Sequence, residues 1–489
     1  MAFAVKYRGG LQAVAASVAT AAMFYFGNGL DPWWLLMWFA PLPVLLYALR
    51  AKWWAAVVAA VTAIMLANLN MWSYFTKTLG MPAVLWAGIF LPASAAFAAG
   101  VLLFRALVLR GSVWSGLLAL PALWVSSEYV RNLTSPHGSA GSLAYSQLRF
   151  LPFLQLASIT GPWGMTFALL LFPCAIAIGM HIRHSSPKRA LKVVGAAVGA
   201  IAVLLAFGVA RLAAPHQQMA KVGLIASDEK ANATVTDPGA DTERLFRDYA
   251  RQAEMLGFKG AKAIVIPEKL GVMLEGKAAG ADVVLQSVAD ETGATIVAGV
   301  VDVDGPVKYN EARVYVAHSV VQRYDKHHML PPFESNLKPG TTLTVLQREQ
   351  QRWGVAICKD MDFASPARLY GQTGAGLMLV PAWDFVVDRS WHGHIAVMRG
   401  VENGFSIARA AKNGFLTVSD DRGRIVGEAS SSSAPFATLL VDVPAVHSWT
   451  IYQLLGDWFA WVAIGLLVFA MMQLLPRPGA DVAAESRVG

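Results

Sequence analysis

Residues 190–226, ALKVVGAAVGAIAVLLAFGVARLAAPHQQMAKVGLIA, contain the change of character on which the fold turns. The first part, 190–212, is an apolar run longer than the ~20 residues a helix needs to cross the hydrocarbon core of a bilayer. Pro215 then breaks it, and 220–226 reads as a short buried strand. Upstream lie six more runs of the first kind, at 11–30, 31–49, 53–72, 82–109, 113–130 and 154–182; downstream lies one, at 450–475. Between them the chain has mixed charges and short strands. The layout expected is a polytopic membrane protein with eight transmembrane helices and an inserted α/β domain. Residues 1–212 form a seven-helix transmembrane domain, 213–449 the inserted domain, 450–476 the eighth helix and 477–489 a tail.

Composition agrees. The 489 residues are 55% hydrophobic and 15% charged, with a mean hydropathy of +0.46. A soluble globular chain carries about 25% charged residues, so a wholly cytosolic protein is excluded. Disorder is excluded too, because no long stretch is both polar and highly charged. Two cysteines, Cys174 and Cys358, make neither a disulfide framework nor a Cys-rich zinc site. Tryptophans such as Trp33, Trp34, Trp53, Trp54, Trp449 and Trp458 sit at the ends of apolar runs, where interfacial aromatics gather.

Lysine and arginine in the short loops orient the chain. With the N-terminus in the cytoplasm, the inner set is Lys6, Arg8, Arg50, Lys52, Arg105, Arg110, Arg183, Lys188, Arg189 and Lys192, against Lys77, Arg131 and Arg149 outside. Seven crossings deliver 213–449 to the outer side, and the eighth returns Arg477 and Arg487 to the cytoplasm. The net charge of +8 then reflects topology and calls for no nucleic-acid partner.

Within 213–449, Leu245, Tyr249 and Leu256 recur at helical spacing. AIVIPE (263–268), ATIVAGVV (294–301), WGVAIC (353–358) and GLMLV (376–380) read as buried strands, EARVYVAHSVVQR (311–323) as a hairpin and 391–403 as a helix. Further strands are expected near 405–410, 414–418 and 437–443. Strands alternating with helices indicate sheets covered by helices.

Three polar side chains sit where buried strands end: Glu268 in IPEK, Lys326 in RYDKHHMLPPFE and Cys358 in GVAICKD. Strand ends of open α/β sheets are where active sites are commonly built. A thiol is a strong nucleophile only as thiolate, a carboxylate can take its proton, and a lysine can stabilise a developing oxyanion.

A Glu–Lys–Cys set on strand ends, with Glu334 eight residues past Lys326 and YNEA at 309–312, resembles the nitrilase (carbon–nitrogen hydrolase) superfamily. Seven apolar runs before such a domain and one after it, with YSQLRFLPFLQLASITGPWGMTF at 145–167, resemble the bacterial apolipoprotein N-acyltransferases. The resemblance implies an αββα sandwich with Glu268 as general base, Lys326 as oxyanion-stabilising cation and Cys358 as nucleophile. It further implies Glu334 as the carboxylate that orients the lysine and the Lys359 N–H as an oxyanion donor. The activity implied is transfer of a fatty acyl chain from a phospholipid, through a cysteine thioester, to the N-terminal amine of a diacylglyceryl-cysteine apolipoprotein. The setting is the bacterial inner membrane with the catalytic domain on its outer, periplasmic side, as a monomer and without cofactor. This chain departs from the family pattern at Lys359-Asp360, where Tyr-Glu is usual, at Lys269, and at PAWDF (381–385). Asp360 keeps an acid two residues past the cysteine. The alternative is a membrane-tethered amidase or hydrolase with the same triad, whose acyl-enzyme water resolves.

Other residues carry two readings each. Cys174, inside an apolar run, is core packing. His327 and His328 suggest metal, but no second ligand pair accompanies them, so no metal site is expected. Trp383 and Asp384 either border the thiol and bind substrate or are core packing and a turn acid. His392 and His394 either line the pocket, with His394 at the substrate, or are solvated. Glu128 either meets lipid headgroups or reaches for the interface. Residues 131–150 are a candidate substrate-gating loop.

Overall fold

The structure is a computed structural model that describes residues 2–215, 218–229, 240–274 and 279–475, and for 2–9, 240 and 279 only the backbone. The expected tail 477–489, with Arg477 and Arg487, lies outside the described residues, as do the side chains of Lys6 and Arg8. The chain divides into two compact units. One comprises Met1–Val130, Trp163–Val203 and Asp457–Gly489, the other Arg131–Pro162 and Leu204–Gly456.

The first unit is helical. Five of the described helical stretches are long and apolar enough to cross a membrane: Gly10–Gly27, Trp53–Met71, Ala83–Leu109, Ala157–Ile182 and Pro187–Ala213. Of the last, only 22% of the most apolar window is buried. Leu191, Val198 and Val203 face outward, an apolar surface that suits lipid and not water. The remaining three expected spans take other forms. The run at 31–49 is split at Pro41 into Trp34–Met37 and Leu42–Ala48, since proline supplies no N–H to continue a helix. The run at 450–475 becomes Ile451–Leu455, a turn at Gly456 with φ 60°, and Trp458–Met472. The run at 113–130 lies in the helix Val113–Thr134. Pro92 sits inside Ala83–Leu109 without ending it. Gly161, at φ 62° and ψ −157°, interrupts Ala157–Ile182 near its start. Glu128 is 3% exposed and accepts from Trp124 Nε1 (2.9 Å) and Thr166 Oγ1 (3.1 Å), so it is held between helices and does not reach for headgroups.

The second unit is built on two six-stranded sheets. The first uses β1 (Met219–Ala226), β2 (Ala263–Leu274), β3 (Thr295–Asp304), β4 (Val307–Tyr315), β5 (Gln322–Asp325) and the late β12 (Ala437–Pro444), in the order β12-β1-β2-β3-β4-β5. The second uses β6 (Val345–Arg348), β7 (Gln351–Val355), β8 (Leu377–Trp383), β9 (Ser406–Lys412), β10 (Phe415–Ser419) and β11 (Ile425–Ser430), in the order β11-β10-β9-β8-β7-β6. Each has a parallel centre, β1-β2-β3 or β7-β8-β9, flanked by antiparallel strands.

Period-two alternation decides the layers. Val222, Leu224, Val265 and Val297 join Val355, Leu379, Ile407 and Val418 in one core between the sheets. Ile225, Ile264, Ile266 and Ile296 point the other way, onto Leu245, Phe246, Tyr249 and Leu285 of the helices Ala240–Phe258 and Ala279–Thr292. The second sheet carries Ala364–Gln372, helical from Pro366 after an extended Ser365, and Arg389–Asn403. The result is the αββα sandwich expected of a nitrilase-like domain.

Candidate active site

A break in the β2–β3 ladder presents Glu268. Pairing runs in register to Ile266↔Ala298 and resumes at Gly271↔Val300, so four residues of β2 lie opposite Gly299 alone. Pro267 lacks an N–H for the ladder, and Lys269 has φ 50°. A Cβ on residue 299 would lie 2.4 Å from Glu268 Cα, so glycine is what lets β3 approach the bulge. Bulges commonly re-aim a side chain next to an active site. Here the re-aimed Glu268 is 1% exposed.

Lys326 follows β5, with its N–H on the Asn310 carbonyl (2.8 Å) and its own carbonyl accepting from Gly340 (2.8 Å). Its Nζ donates to Glu268 Oε1 (2.8 Å) and Glu334 Oε2 (2.9 Å). Asn310 Nδ2 bridges the same two carboxylates, at 2.5 Å to Glu268 and 2.7 Å to Glu334. Glu334 also accepts from Lys269 Nζ (2.7 Å) and the Leu330 N–H (2.8 Å). Burial alone would raise the Glu334 pKa, but the Lys326 and Lys269 ammoniums hold it at about 2. Burial would likewise lower Lys326, yet the Glu268 and Glu334 carboxylates push it above the usual lysine range. Two carboxylates and two ammoniums balance, which is the condition for burying charge.

Cys358 comes from the second sheet, just past β7, and opens the tight turn Cys358–Asp362 with φ 42°. A non-glycine residue in that left-handed region is strained, and such strain gathers at functional sites. Its Sγ donates to the Trp383 carbonyl (3.5 Å), and Arg409 Nη2 stands 4.0 Å away. Asp384 fixes that guanidinium in a two-pronged pair of 2.5 and 2.8 Å. Burial, then the Glu268 carboxylate, push the thiol pKa up, while the Lys326 and Arg409 cations oppose them. The balance favours the thiol over the thiolate.

Asp360 holds the cysteine turn to the strand that ends at Lys326. Its carboxylate accepts from the Ile357 N–H (3.1 Å), Tyr324 OH (2.8 Å) and the His327 and His328 N–H groups (3.0 and 2.8 Å). The His328 ring stacks on Phe363 at 3.7 Å. Trp383 presents its ring to two cations, Lys412 at 3.8 Å and Lys269 at 5.2 Å. Burial brings Lys412 down to about 7. Asp384 is 2% exposed and spent on Arg409. His394 lines a cavity of about 190 Å³ with Leu148, Arg149 and Val397.

Residues 15–175 match the apolipoprotein N-acyltransferase N-terminal domain, and residues 283–452 match the carbon-nitrogen hydrolase family. The chain is 28% identical to an apolipoprotein N-acyltransferase of Geobacter metallireducens over 381 residues, 71% of this chain and 72% of the relative. It is 24% identical to that of Gloeobacter violaceus over 497 residues, 90% of each. The chain carries an apolipoprotein N-acyltransferase N-terminal domain followed by a carbon-nitrogen hydrolase domain. It is an acyltransferase. Among solved structures it resembles a nitrilase-superfamily amidase from Nesterenkonia, at 22% identity and a TM-score of 0.40, over 47% of this chain and 93% of that one. In the family's carbon-nitrogen hydrolase segment lie Asn310, Lys326, Glu334, Cys358 and Arg409; Glu268 lies before it.

Sequence reasoning missed Arg409 and Lys412, and took Asn310 only as part of a YN element. The signal for the first two was present. SIARAAK (406–412) is buried throughout yet carries two cations, and buried charge needs a partner or a purpose.

Proposed function

We propose that this acyltransferase moves a fatty acyl chain from a phospholipid onto Cys358 as a thioester, and from there to the N-terminal amine of a diacylglyceryl-cysteine lipoprotein. In the first half-reaction Glu268 takes the thiol proton as sulfur attacks the ester carbonyl. The Lys326 ammonium and the Lys359 N–H meet the oxyanion. Collapse expels the lysophospholipid alkoxide, which takes the proton back from Glu268. In the second half-reaction the acceptor amine attacks the thioester, Glu268 accepts its proton, and the departing thiolate recovers it. Every proton is accounted for by one carboxylate, with no cofactor.

The observation that carries this reading is the meeting of a protonated, strained Cys358 from one sheet with an ion-paired Glu268 and Lys326 from the other. Glu334 keeps Lys326 charged and in place, and Asp360 keeps the cysteine turn in register with it. Of the three residues expected to bind substrate, Trp383 borders the sulfur through its carbonyl, Asp384 acts through Arg409, and His394 lines the cavity with Leu148 and Arg149.

The site belongs on the outer face of the bacterial inner membrane, where lipid donor and lipid-anchored acceptor both lie. An eight-span chain supports this, with 1–212 crossing seven times, 213–449 outside, 450–476 returning and 477–489 cytoplasmic. Helical segments at all eight positions and the positive-inside bias favour that count. The working unit is a monomer.

The test uses the full chain in phospholipid vesicles with a labelled acyl chain and a diacylglyceryl lipopeptide. The expected result is a hydroxylamine-sensitive label on Cys358 that passes to the peptide amine, read by mass spectrometry. Release of free fatty acid with no acylated peptide would assign a hydrolase. Label that persists in Cys358→Ala would remove the nucleophile assignment.

A further inference from the structure

The side chain that follows the nucleophile, Lys359, is 4% exposed. Its Nζ donates to His137 Nδ1 (3.0 Å) and stands 3.7 Å from Asp362 Oδ2. His392 meets Asp362 through Nδ1 (3.2 Å) and Asp388 through Nε2 (3.3 Å). A chain of five polar groups thus runs Asp388, His392, Asp362, Lys359, His137, with charges alternating until it reaches the neutral imidazole. His392 is held protonated, since burial is outweighed by Asp362 and Asp388, which bring it up to about 10. His137 is pulled down to about 4, first by burial and then by Lys359. In the tautomer protonated at Nε2, its Nδ1 offers a lone pair to the ammonium 3.0 Å away.

The end of this chain is supplied by a segment far away in sequence. Residues 135–145 dock on the cysteine turn through the Asp362 carbonyl, which accepts from the Ser139 N–H (3.3 Å) and Oγ (3.1 Å). Gly138, at φ 53°, passes so close that a Cβ would lie 2.7 Å from that oxygen. Tyr145 then ties the segment down, bonding Ser139 Oγ (2.6 Å) and accepting from Arg399 Nη2 (2.7 Å), itself paired with Glu402 (2.8 Å).

We propose that His137 is a positioning residue of the acyl-transfer site: by holding the Lys359 ammonium against Asp362, it fixes the Cys358–Lys359 peptide in the strained turn that aims the thiol and offers its N–H to the oxyanion. The inference rests on the acyl-transfer reading and extends it to 131–150, the segment read from sequence as a gate. Its role is to complete the site.

A Lys359 ammonium left without its imidazole is a buried, half-paired cation, which rearranges to find water or another acceptor. An amide oxygen in place of Nδ1 restores the acceptor, and removing both groups removes the unpaired charge. The variants are therefore His137→Leu, His137→Asn, and His137→Leu with Lys359→Met. Single-turnover acylation of Cys358 is measured from phosphatidylethanolamine–phosphatidylglycerol vesicles with a labelled acyl chain. Alkylation of Cys358 by iodoacetamide is measured in parallel, with melting temperature as the control for folding.

His137→Leu is expected to slow acylation at saturating lipid about tenfold or more, with an unchanged KM, as a misplaced reacting group does. His137→Asn recovers to within about threefold, and the double variant is faster than His137→Leu, as coupled neighbours require. Alkylation falls severalfold in His137→Leu and not in His137→Asn. Wild-type rates in His137→Leu, an effect confined to KM, or equal losses in the Leu and Asn variants would each overturn the proposal. If the wild-type chain forms no thioester, the acyl-transfer reading fails on its own, and the alkylation rates still decide whether His137 positions Cys358.

Discussion

The first sheet brings to the site a closed set of charges, and the second brings a thiol with its proton still on. At the β2 bulge, on β4 and just past β5, Glu268, Lys269, Asn310 and Lys326 join Glu334 through bonds of 2.5–2.9 Å. At the end of β7, β8 and β9, Cys358 has only a long bond to the Trp383 carbonyl and a guanidinium at 4.0 Å. The difference is one of timing. The charged half is finished before substrate arrives, so no reorganisation is needed when an oxyanion forms. In the proposed mechanism the sulfur half is left incomplete until Glu268 removes a proton. Breaking the first half should cost both folding and rate, and breaking the second should cost rate alone.

The sharpest break is Cys358→Ala. It leaves every ion pair of the charged half intact, so the melting temperature should stay within a degree or two. Turnover should drop on the order of 10⁴-fold or more, as for loss of a covalent nucleophile. A variant that both unfolds and loses activity would deny the division between the halves. Lys326→Met tests the other side. It takes the ammonium from Glu268 and leaves Glu334 with Lys269, and removing one partner of a buried pair costs about 3–5 kcal/mol. Acyl transfer should fall with it by about 10²–10³-fold. Chemical denaturation and labelled-acyl transfer, measured on the same preparation, separate the two losses.

Gly299→Ala touches neither half chemically. Its methyl would lie 2.4 Å from Glu268 Cα and 2.7 Å from the Pro267 carbonyl, so the bulge must shift. A displacement of about 1 Å at a general base costs about 10²-fold. The thiol alone should still react with iodoacetamide, which tells a moved base from a ruined site.

The pH dependence of stability sharpens the same division. Glu334 has a folded pKa of about 2 against an unfolded value of about 4.3. Its contribution is complete above pH ~4.3 and is lost as the pH falls through about 2. Glu334→Gln should therefore flatten the melting temperature between pH 5 and 2. A curve as steep as wild type would show that the lysines do not hold that carboxylate ionised.

Much of this was legible in the residues. The strands were marked by apolar runs, and three polar side chains placed at their ends were the candidates; the structure puts Glu268 in a bulge within β2 instead. What could not be read was any fact that depends on a second strand. Gly299 is an ordinary glycine until β3 is laid beside the β2 bulge. Arg409 looks like a stray cation until Asp384 is opposite it. The membrane count suffered from the reverse problem. Hydropathy summed over 31–49 and 450–475 is high, but Pro41 and Gly456 break the helices that such sums assume. His137 had no signal at all, since it lies 222 residues from the lysine it meets.

The other cysteine, Cys174, gives the smallest effect and the last control on the comparison. Cys174 is 0% exposed inside Ala157–Ile182, a helix in which small and apolar side chains surround it. It has neither a carboxylate nor a cation among its described contacts, and free cysteine so placed behaves as a small hydrophobe. Cys174→Ala removes one sulfur from a packed interior, a loss on the order of 1 kcal/mol. Acylation of Cys358 should be unchanged, and the labelled thioester should map to residue 358 alone. Loss of transfer in Cys174→Ala, with Cys358→Ala still active, would move the nucleophile into the membrane and dissolve the division between the sheets. The same substitution thus measures what burial of a thiol is worth without charged neighbours.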